Sequence, residues 1–122
     1  MVREKHHMDR HKFATVVKTA VRQLPASFRA ALLNIAITID DRLGTARRSN
    51  RSLMGLYEGV PLPERSHDYA GLPPDKITLF RANIEAVCGS EMEMVEEIRK
   101  TLLHEIGHYF GLTERKLRAL GY

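Results

Sequence analysis

Apolar and polar positions follow two different periods in the first third of the chain. Apolar residues recur every three or four positions over residues 13–24, which predicts an amphipathic helix that Pro25 ends. A shorter helix is predicted over residues 26–32. Isoleucines then alternate with smaller or polar residues over residues 35–40, and this period of two predicts a β-strand with one well-buried face.

The middle of the chain is predicted to contain short strands separated by a long loop. Residues 53–60 indicate a short strand or hairpin arm, and residues 76–80 indicate a second strand with Ile77 and Leu79 on one face. Between them, residues 61–75 contain four of the five prolines and are interpreted as a long surface loop. Residues 81–87 follow as one or two helical turns.

The last third predicts one long helix and one short helix. Ser90 with Glu93 three positions later is a capping-box signature, so the long helix should cover residues 91–110. Its core-facing row consists of Ile98, Leu102 and Ile106. Gly111 is the expected stop. A final helix over residues 113–120 should turn two side chains inward, Leu117 and Leu120.

Composition fits a single globular domain over residues 12–122, preceded by a flexible polar tail over residues 1–11. The 122 residues are 43% hydrophobic and 28% charged, which argues against disorder. The lone cysteine, Cys88, excludes an internal disulfide framework and is interpreted as a small buried residue. No apolar stretch is long enough to span a membrane and no secretory signal is evident, so we expect a cytoplasmic protein.

The net charge of +4 is unevenly distributed. Residues 1–61 carry a net charge of +6, and residues 62–122 carry −2. A basic half is typical of nucleic-acid binding. Its arginines, however, cluster in a loop without interleaved aromatic residues that could stack on bases. We therefore interpret residues 42–51 as a solvated basic loop and do not expect a nucleic-acid partner.

The long predicted helix contains an H-E-x-x-H motif formed by His104, Glu105 and His108. Histidines four residues apart lie on one helix face, one turn apart, where both imidazoles can reach a single zinc ion. Glu105 lies about 60° beyond His108 around the helix, beside the ion, as a base for an activated water requires. His7 and His11 share the spacing but lack both the glutamate and a core helix.

A catalytic zinc needs a third protein ligand, and the sequence offers Glu114. The complete string H-E-x-x-H-x-x-G-x-x-E has metzincin spacing, with glutamate replacing the third histidine. A second explanation also remains open. Glu114 stands in the first turn of the final predicted helix, where the helix dipole alone favours an acidic residue.

Four segments together resemble the minimal zincins, which are small bacterial zinc metallopeptidases: G-L-Y-E-G-V-P-L, I-T-L-F-R, I-E-x-x-C and T-L-L-H-E-I-G-H-Y-F-G-L. The resemblance covers residues 51–122. It implies a compact α/β (α+β) core in which a small mixed sheet packs on an N-terminal helix, the motif helix and a short C-terminal helix. It also implies one zinc per chain, with ligands His104, His108 and Glu114 and the base Glu105.

The expected activity is hydrolysis of a peptide or protein substrate, in which zinc-activated water attacks the peptide bond and Glu105 acts as general base. An oxyanion would need a further donor. The candidates are Tyr57, His67, Tyr69 and Tyr109. By resemblance, residues 76–80 or 56–60 would hold the substrate backbone.

Two alternatives remain open from the sequence. The first is a catalytically weak or inactive zincin-like module that binds metal and regulates, although Glu105 would then be unnecessary. The second is a metal-dependent ribonuclease, which the basic half favours and the H-E-x-x-H pattern does not. No methionine follows the motif and no second subdomain is predicted, so we expect metal binding to be better supported than proteolysis.

Overall fold

The computed structural model describes residues 9–41, 53–65 and 74–122. Within these residues the chain forms a mixed α+β fold, as the sequence predicts. The helices are α1 (Arg10–Arg22), α2 (Ala26–Ala31), α3 (Arg81–Val87), α4 (Glu91–Tyr109) and α5 (Glu114–Ala119). The strands are β1 (Ile35–Asp40), β2 (Gly55–Glu58) and β3 (Asp75–Phe80). Short 3-10 turns cover Leu32–Asn34 and Leu62–Glu64.

Helix α1 begins earlier than the apolar pattern indicates. The Asp9 carboxylate accepts a hydrogen bond of 2.8 Å from the Lys12 backbone amide and caps the helix. Arg10 and His11, which we expected in the polar tail, are therefore helical. His7 and the rest of that tail lie outside the described residues. The apolar face of α1 is buried as predicted and packs against α4.

The sheet has the order β1-β3-β2. Strand β1 pairs with β3 in parallel, and β2 pairs with β3 antiparallel. The strand predicted over residues 76–80 is therefore central, and both its edges are occupied. Strand β1 lies at one edge of the three-stranded sheet. For this reason Ile37 and Ile39 are only partly buried, whereas Ile35 is buried. The well-buried face predicted for β1 is thus confirmed at Ile35 and only partly present at Ile37 and Ile39.

Helix α4 forms the centre of the molecule and contacts α1, β2 and β3. The predicted core row of Ile98, Leu102 and Ile106 is completely buried. The Ser90 hydroxyl accepts from the Glu93 amide at 3.1 Å, and the Glu93 carboxylate accepts from Gly89, so the predicted cap is present. Among the described helices, α4 included, none combines the length and apolar character that crossing a bilayer requires.

The end of α4 is fixed by a Schellman motif at Gly111. Its amide donates to the His108 carbonyl, and the Leu112 amide donates to the Gly107 carbonyl, both at 2.9 Å. Gly111 has a φ of +89°, and a Cβ there would stand 2.6 Å from the Pro63 ring. The predicted stop is confirmed, and the sharp turn brings the following residues back toward the side of α4 that carries the histidines.

Helix α5 is shorter than predicted. Leu117 is fully buried, as expected, and its side chain lies where a Cβ on Gly107 would stand. Leu120, by contrast, is 51% exposed because the helix ends at Ala119 and Leu120 forms its C-cap. The inward position predicted for Leu120 was therefore wrong.

Cys88 occupies the buried position that its surroundings in the sequence predict. The residue is 3% exposed at the end of α3. Burial, with smaller contributions from Glu97 and Glu93, raises the pKa of its thiol to about 11. A thiol of this kind is a poor nucleophile and a poor metal ligand at neutral pH, because both roles require the thiolate.

Candidate metal centre

The two motif histidines project from one side of α4, and His104 lines an open cleft there. Their ring centroids lie 4.9 Å apart, with the rings nearly perpendicular. The opposite side of the helix carries the buried core row, so packing fixes the direction in which both imidazoles point. The Nδ1 atom of His108 lies 3.2 Å from the Leu112 carbonyl, a contact that orients the ring with Nε2 toward Glu114.

Glu114 brings its carboxylate to both histidines. One oxygen, Oε2, lies 3.1 Å from Nε2 of His104 and 2.8 Å from Nε2 of His108. Thr113 caps α5 by accepting a hydrogen bond from the Lys116 amide, and this cap sets Glu114 in the first helical turn. Both explanations of Glu114 from sequence are therefore compatible with its position. The residue contacts the two histidines, and it also stands in the first turn of α5, where the helix dipole favours an acidic side chain.

The pKa of Glu114 reflects this contact. Burial favours the neutral form, but hydrogen bonds and charge attraction from His104 and His108 outweigh it and lower the pKa below its ordinary value. The carboxylate is therefore ionised at neutral pH. A deprotonated carboxylate is the form that binds a metal ion.

The donor atoms fit a zinc ion. Ligands about 2.0–2.1 Å from a tetrahedral zinc stand roughly 3.3 Å from one another. The distances from Glu114 Oε2 to the two Nε2 atoms, 3.1 and 2.8 Å, are close to that separation. Two imidazole nitrogens and one carboxylate oxygen form a ligand set that catalytic zinc accepts. A metal-compatible cluster also includes Glu105, with donor atoms of His104, Glu105 and His108 within 4.8 Å of one another.

Glu105 is distinguished from Glu114 by its hydrogen bond to the sheet. Its Oε1 atom accepts from the backbone amide of Tyr57 on β2 at 2.8 Å. Burial raises the pKa of Glu105, while the Tyr57 amide and the two histidines partly oppose that rise. The carboxylate lies near the histidine nitrogens, is held by β2 and is partly buried. This is the arrangement of a proton acceptor next to a metal.

The cleft around these residues has a volume of about 430 Å³. Its lining comes from α4, from residues 53–55 at the beginning of β2, and from Glu114 and Tyr122. Sequence reasoning missed Tyr122 and also Lys100, which precedes His104 by one helical turn. Lys100 could have been found from sequence, because it precedes His104 by four residues. Tyr122 had no such signal, because only the path of the chain after α5 brings it to the cleft.

Close approach between β2 and α4 depends on Gly55. A Cβ at this position would stand 2.6 Å from the Thr101 methyl group and 3.6 Å from the Glu105 Cγ atom. We expect Gly55→Ala to destabilise the protein by about 1–3 kcal/mol, the usual range for overpacking a core, as measured by urea denaturation.

The matched test is Gly55→Ala combined with Thr101→Ser, which deletes the methyl group that the new Cβ would meet. We expect the double variant to recover most of the lost stability relative to Thr101→Ser alone. Equal losses with and without the Thr101 methyl group would show that the contact is not the cause.

The four candidate oxyanion donors fall into two groups. His67 and Tyr69 lie outside the described residues. The Tyr57 hydroxyl donates to Asp75 at 2.6 Å, and burial together with that carboxylate raises the pKa of the phenol. Tyr109 is 2% exposed and packs edge-to-face on Tyr57. Neither tyrosine lines the cleft, so neither gains geometric support for this role.

A buried ion pair outside the cleft had no sequence signal. The Arg65 guanidinium bonds the Asp75 carboxylate, whose side chain has no solvent exposure. Arg65 also donates to the Val60 carbonyl at 2.8 Å and lies over the Tyr109 ring. Through the Tyr57 hydroxyl, the pair is connected to the strand whose amide holds Glu105. The basic loop predicted over residues 42–51 lies outside the described residues.

Among solved structures, a conserved hypothetical protein from Thermus thermophilus has a similar fold, with a TM-score of 0.52 and 19% sequence identity. The alignment covers 93% of this chain and 97% of that one, and it supports the fold. The search of curated proteins gives no significant match. The family model described as zincin-like metallopeptidase matches residues 32–122, which include all three strands and the motif helix. The chain therefore belongs to the zincin-like metallopeptidase family.

Proposed function

We propose that this protein is a zinc-dependent peptidase. The observation that carries the proposal is the joint placement of four side chains. His104, His108 and Glu114 converge on one point, and Glu105 stands beside them on a separate anchor, the Tyr57 amide. Family membership implies a metal, typically zinc, and the donor atoms suit that ion.

Zinc, when bound by His104, His108 and Glu114, supplies a Lewis acid that lowers the pKa of a coordinated water toward about 7. Glu105 then has the role of proton carrier. Its carboxylate can accept a proton at the oxygen facing the histidines while Oε1 stays on the Tyr57 amide, and it can return that proton to a leaving amine. Burial raises its pKa, which brings the carboxyl group closer to the operating range of a general base.

The sheet supplies a site for a peptide backbone. Strand β2 pairs with β3 on one side only, and no described strand covers its other edge. The Tyr57 amide at that edge is already held by Glu105, so a peptide added along β2 would pair with the remaining backbone groups of the edge and pass beside Glu105. Of the two strands considered from sequence, the one within residues 56–60 has this edge, whereas β3 does not.

The position of Glu105 favours hydrolysis over the alternative of a metal-binding module without catalysis. A protein that only retained a metal would need the two histidines and Glu114. It would not need a fourth ionisable group, Glu105, buried and fixed on the sheet, because burying such a group costs free energy. The ribonuclease alternative rested on the basic half of the chain, whose arginine-rich loop lies outside the described residues, and the H-E-x-x-H pattern does not favour it.

The test is hydrolysis of a mixed peptide pool by zinc-loaded protein, with products identified by mass spectrometry. We expect cleavage by the wild type and a loss of about 10²–10⁴-fold in rate for Glu105→Gln, the range for removing a general acid–base group. Glutamine can keep the hydrogen bond from the Tyr57 amide, so the loss would come from chemistry and not from misfolding.

The control is zinc content together with thermal stability of the same preparations, which should be equal for the wild type and Glu105→Gln. Cleavage that survives the substitution would remove Glu105 from the proposed role. A fully zinc-loaded wild type that cuts no peptide would contradict the peptidase proposal and favour the binding module.

A further inference from the structure

Lys100 lies on the same stripe of α4 as the two histidines. Residues 100, 104 and 108 are spaced by four, so they form a row along one helix face, with about 6 Å of axial rise per step. Lys100 lines the cleft together with His104, Glu105 and Glu114. The cleft therefore continues from the metal centre toward a cationic group one helical turn away.

The Lys100 ammonium group has no hydrogen bond or ion pair with any residue in the described ranges. The Lys100 ammonium group interacts electrostatically with the Glu96 carboxylate. That carboxylate already accepts hydrogen bonds of 3.0 and 2.6 Å from Arg99. A lysine head group usually extends into water or pairs with a carboxylate. Here the residue is exposed and lines the cleft that contains the candidate metal ligands His104 and Glu114.

The other charged group near Lys100 in the cleft is Glu97. Glu97 precedes Lys100 by three residues and is its neighbour on the helix surface, but no ion pair joins the two, and the Glu97 carboxylate also acts on the Cys88 thiol. The apolar part of the cleft lining includes Leu53 and Met54, which immediately precede β2. The cleft thus combines the Lys100 charge with apolar lining, which suits an aliphatic stem that ends in a carboxylate.

We propose that Lys100 determines specificity by binding a carboxylate of the substrate about two residues from the scissile bond. The proposal rests on the proposed peptidase function and names its substrate class, peptides with an acidic group at this position. The distance follows from the helical step of about 6 Å and the advance of about 3.4 Å per residue in an extended peptide. The carboxylate can come from an Asp or Glu side chain or from the end of the peptide.

The first measurement does not depend on turnover. Monohydroxamates of six- to eight-carbon dicarboxylic acids are titrated calorimetrically into zinc-loaded protein, each beside the matched compound whose far end is a primary amide. The hydroxamate binds the metal, and the far end reports on Lys100. We expect the carboxylate compound to bind about tenfold more tightly, as one charge-assisted hydrogen bond in a cleft provides.

The preference should disappear in Lys100→Met, which keeps the aliphatic stem and removes the charge. The matched control is Lys18→Met, an equal change of net charge on α1, outside this cleft, and it should keep the preference. Equal binding of the two compounds to the wild type, or an undiminished preference in Lys100→Met, would overturn the proposal.

Competition experiments in the Glu105→Gln protein distinguish the two sources of the carboxylate. The competitors are amidated peptides with internal Glu or Gln, and neutral peptides with a free or amidated C-terminus. Stronger competition by internal Glu assigns an acidic side chain, and stronger competition by the free terminus assigns terminal recognition. Equal competition within both pairs would overturn the proposal. Peptide hydrolysis and zinc content, measured separately, report on the proposed function alone.

Discussion

Replacing His104 with alanine is expected to lower the zinc affinity of the protein by more than about 100-fold, whereas Glu105→Gln should retain one zinc per chain. Loss of an outer hydrogen-bond partner of a ligand already costs about 10–100-fold, so loss of a ligand should cost more. Glu105 stands beside the donor atoms of the other three residues and is held by the Tyr57 amide, so its neutralisation leaves the ligand set complete.

The measurement is zinc per chain by elemental analysis after dialysis against a limiting zinc buffer, for the wild type and both variants. His11→Ala is the matched control, because His11 is an exposed histidine on α1 with no place in the cleft. Glu114→Gln extends the series and should also lose affinity. Equally low zinc in all proteins would contradict the metal centre, and full zinc in His104→Ala would remove that residue from it.

Replacing Arg65 with methionine is expected to cost about 3–5 kcal/mol of unfolding free energy, the range for breaking a buried ion pair from one side. The reason is the Asp75 carboxylate. Its side chain has no solvent exposure, so loss of the guanidinium would remove compensation from a charge that water cannot reach. A Cβ on Gly59 would overlap the same carboxyl group, which shows how closely the end of β2 covers it.

The measurement is urea denaturation of the apo protein, with Arg65→Met/Asp75→Asn as the informative double variant. Asn removes the buried charge and can still accept from the Tyr57 hydroxyl, so the double variant should be more stable than Arg65→Met alone. Arg99→Met is the matched control, since its ion pair with Glu96 is on the surface and should cost less than about 1 kcal/mol. A loss of that small size for Arg65→Met would show that the pair is not important for stability.

The connection between the ion pair and Glu105, the proposed base, gives the stability result a bearing on the proposed function. Asp75 holds the Tyr57 hydroxyl, and the Tyr57 amide holds Glu105, so one residue of β2 connects the buried charge to the cleft. No pattern in the sequence indicates this arrangement, because Arg65 and Asp75 are separated by a segment of ordinary loop composition. Their pairing depends on strand β3 beginning next to the turn after β2.

Local patterns predicted the elements well where one residue type controls the geometry. Ser90 and Gly111 bounded α4 correctly, because a side-chain cap and a left-handed residue act within a few positions. The pattern was less informative at β1, where the alternation of Ile37 and Ile39 indicates a buried face but does not say how much of it a neighbouring element covers. The prediction for Leu120 failed for a related reason, since helix α5 ended one residue before it.

The sequence by itself determined the helices and strands, the family and the candidate ligands, because periodicity, caps and the spacing of His104, Glu105 and His108 are properties of short segments. Only the tertiary structure decided which strand has an open edge, that Glu114 meets both histidines, and that Lys100 lines the same cleft. These relations join residues far apart in the chain or depend on what covers a surface, and the packing of β2, α4 and α5 around Gly55 and Leu117 fixes them.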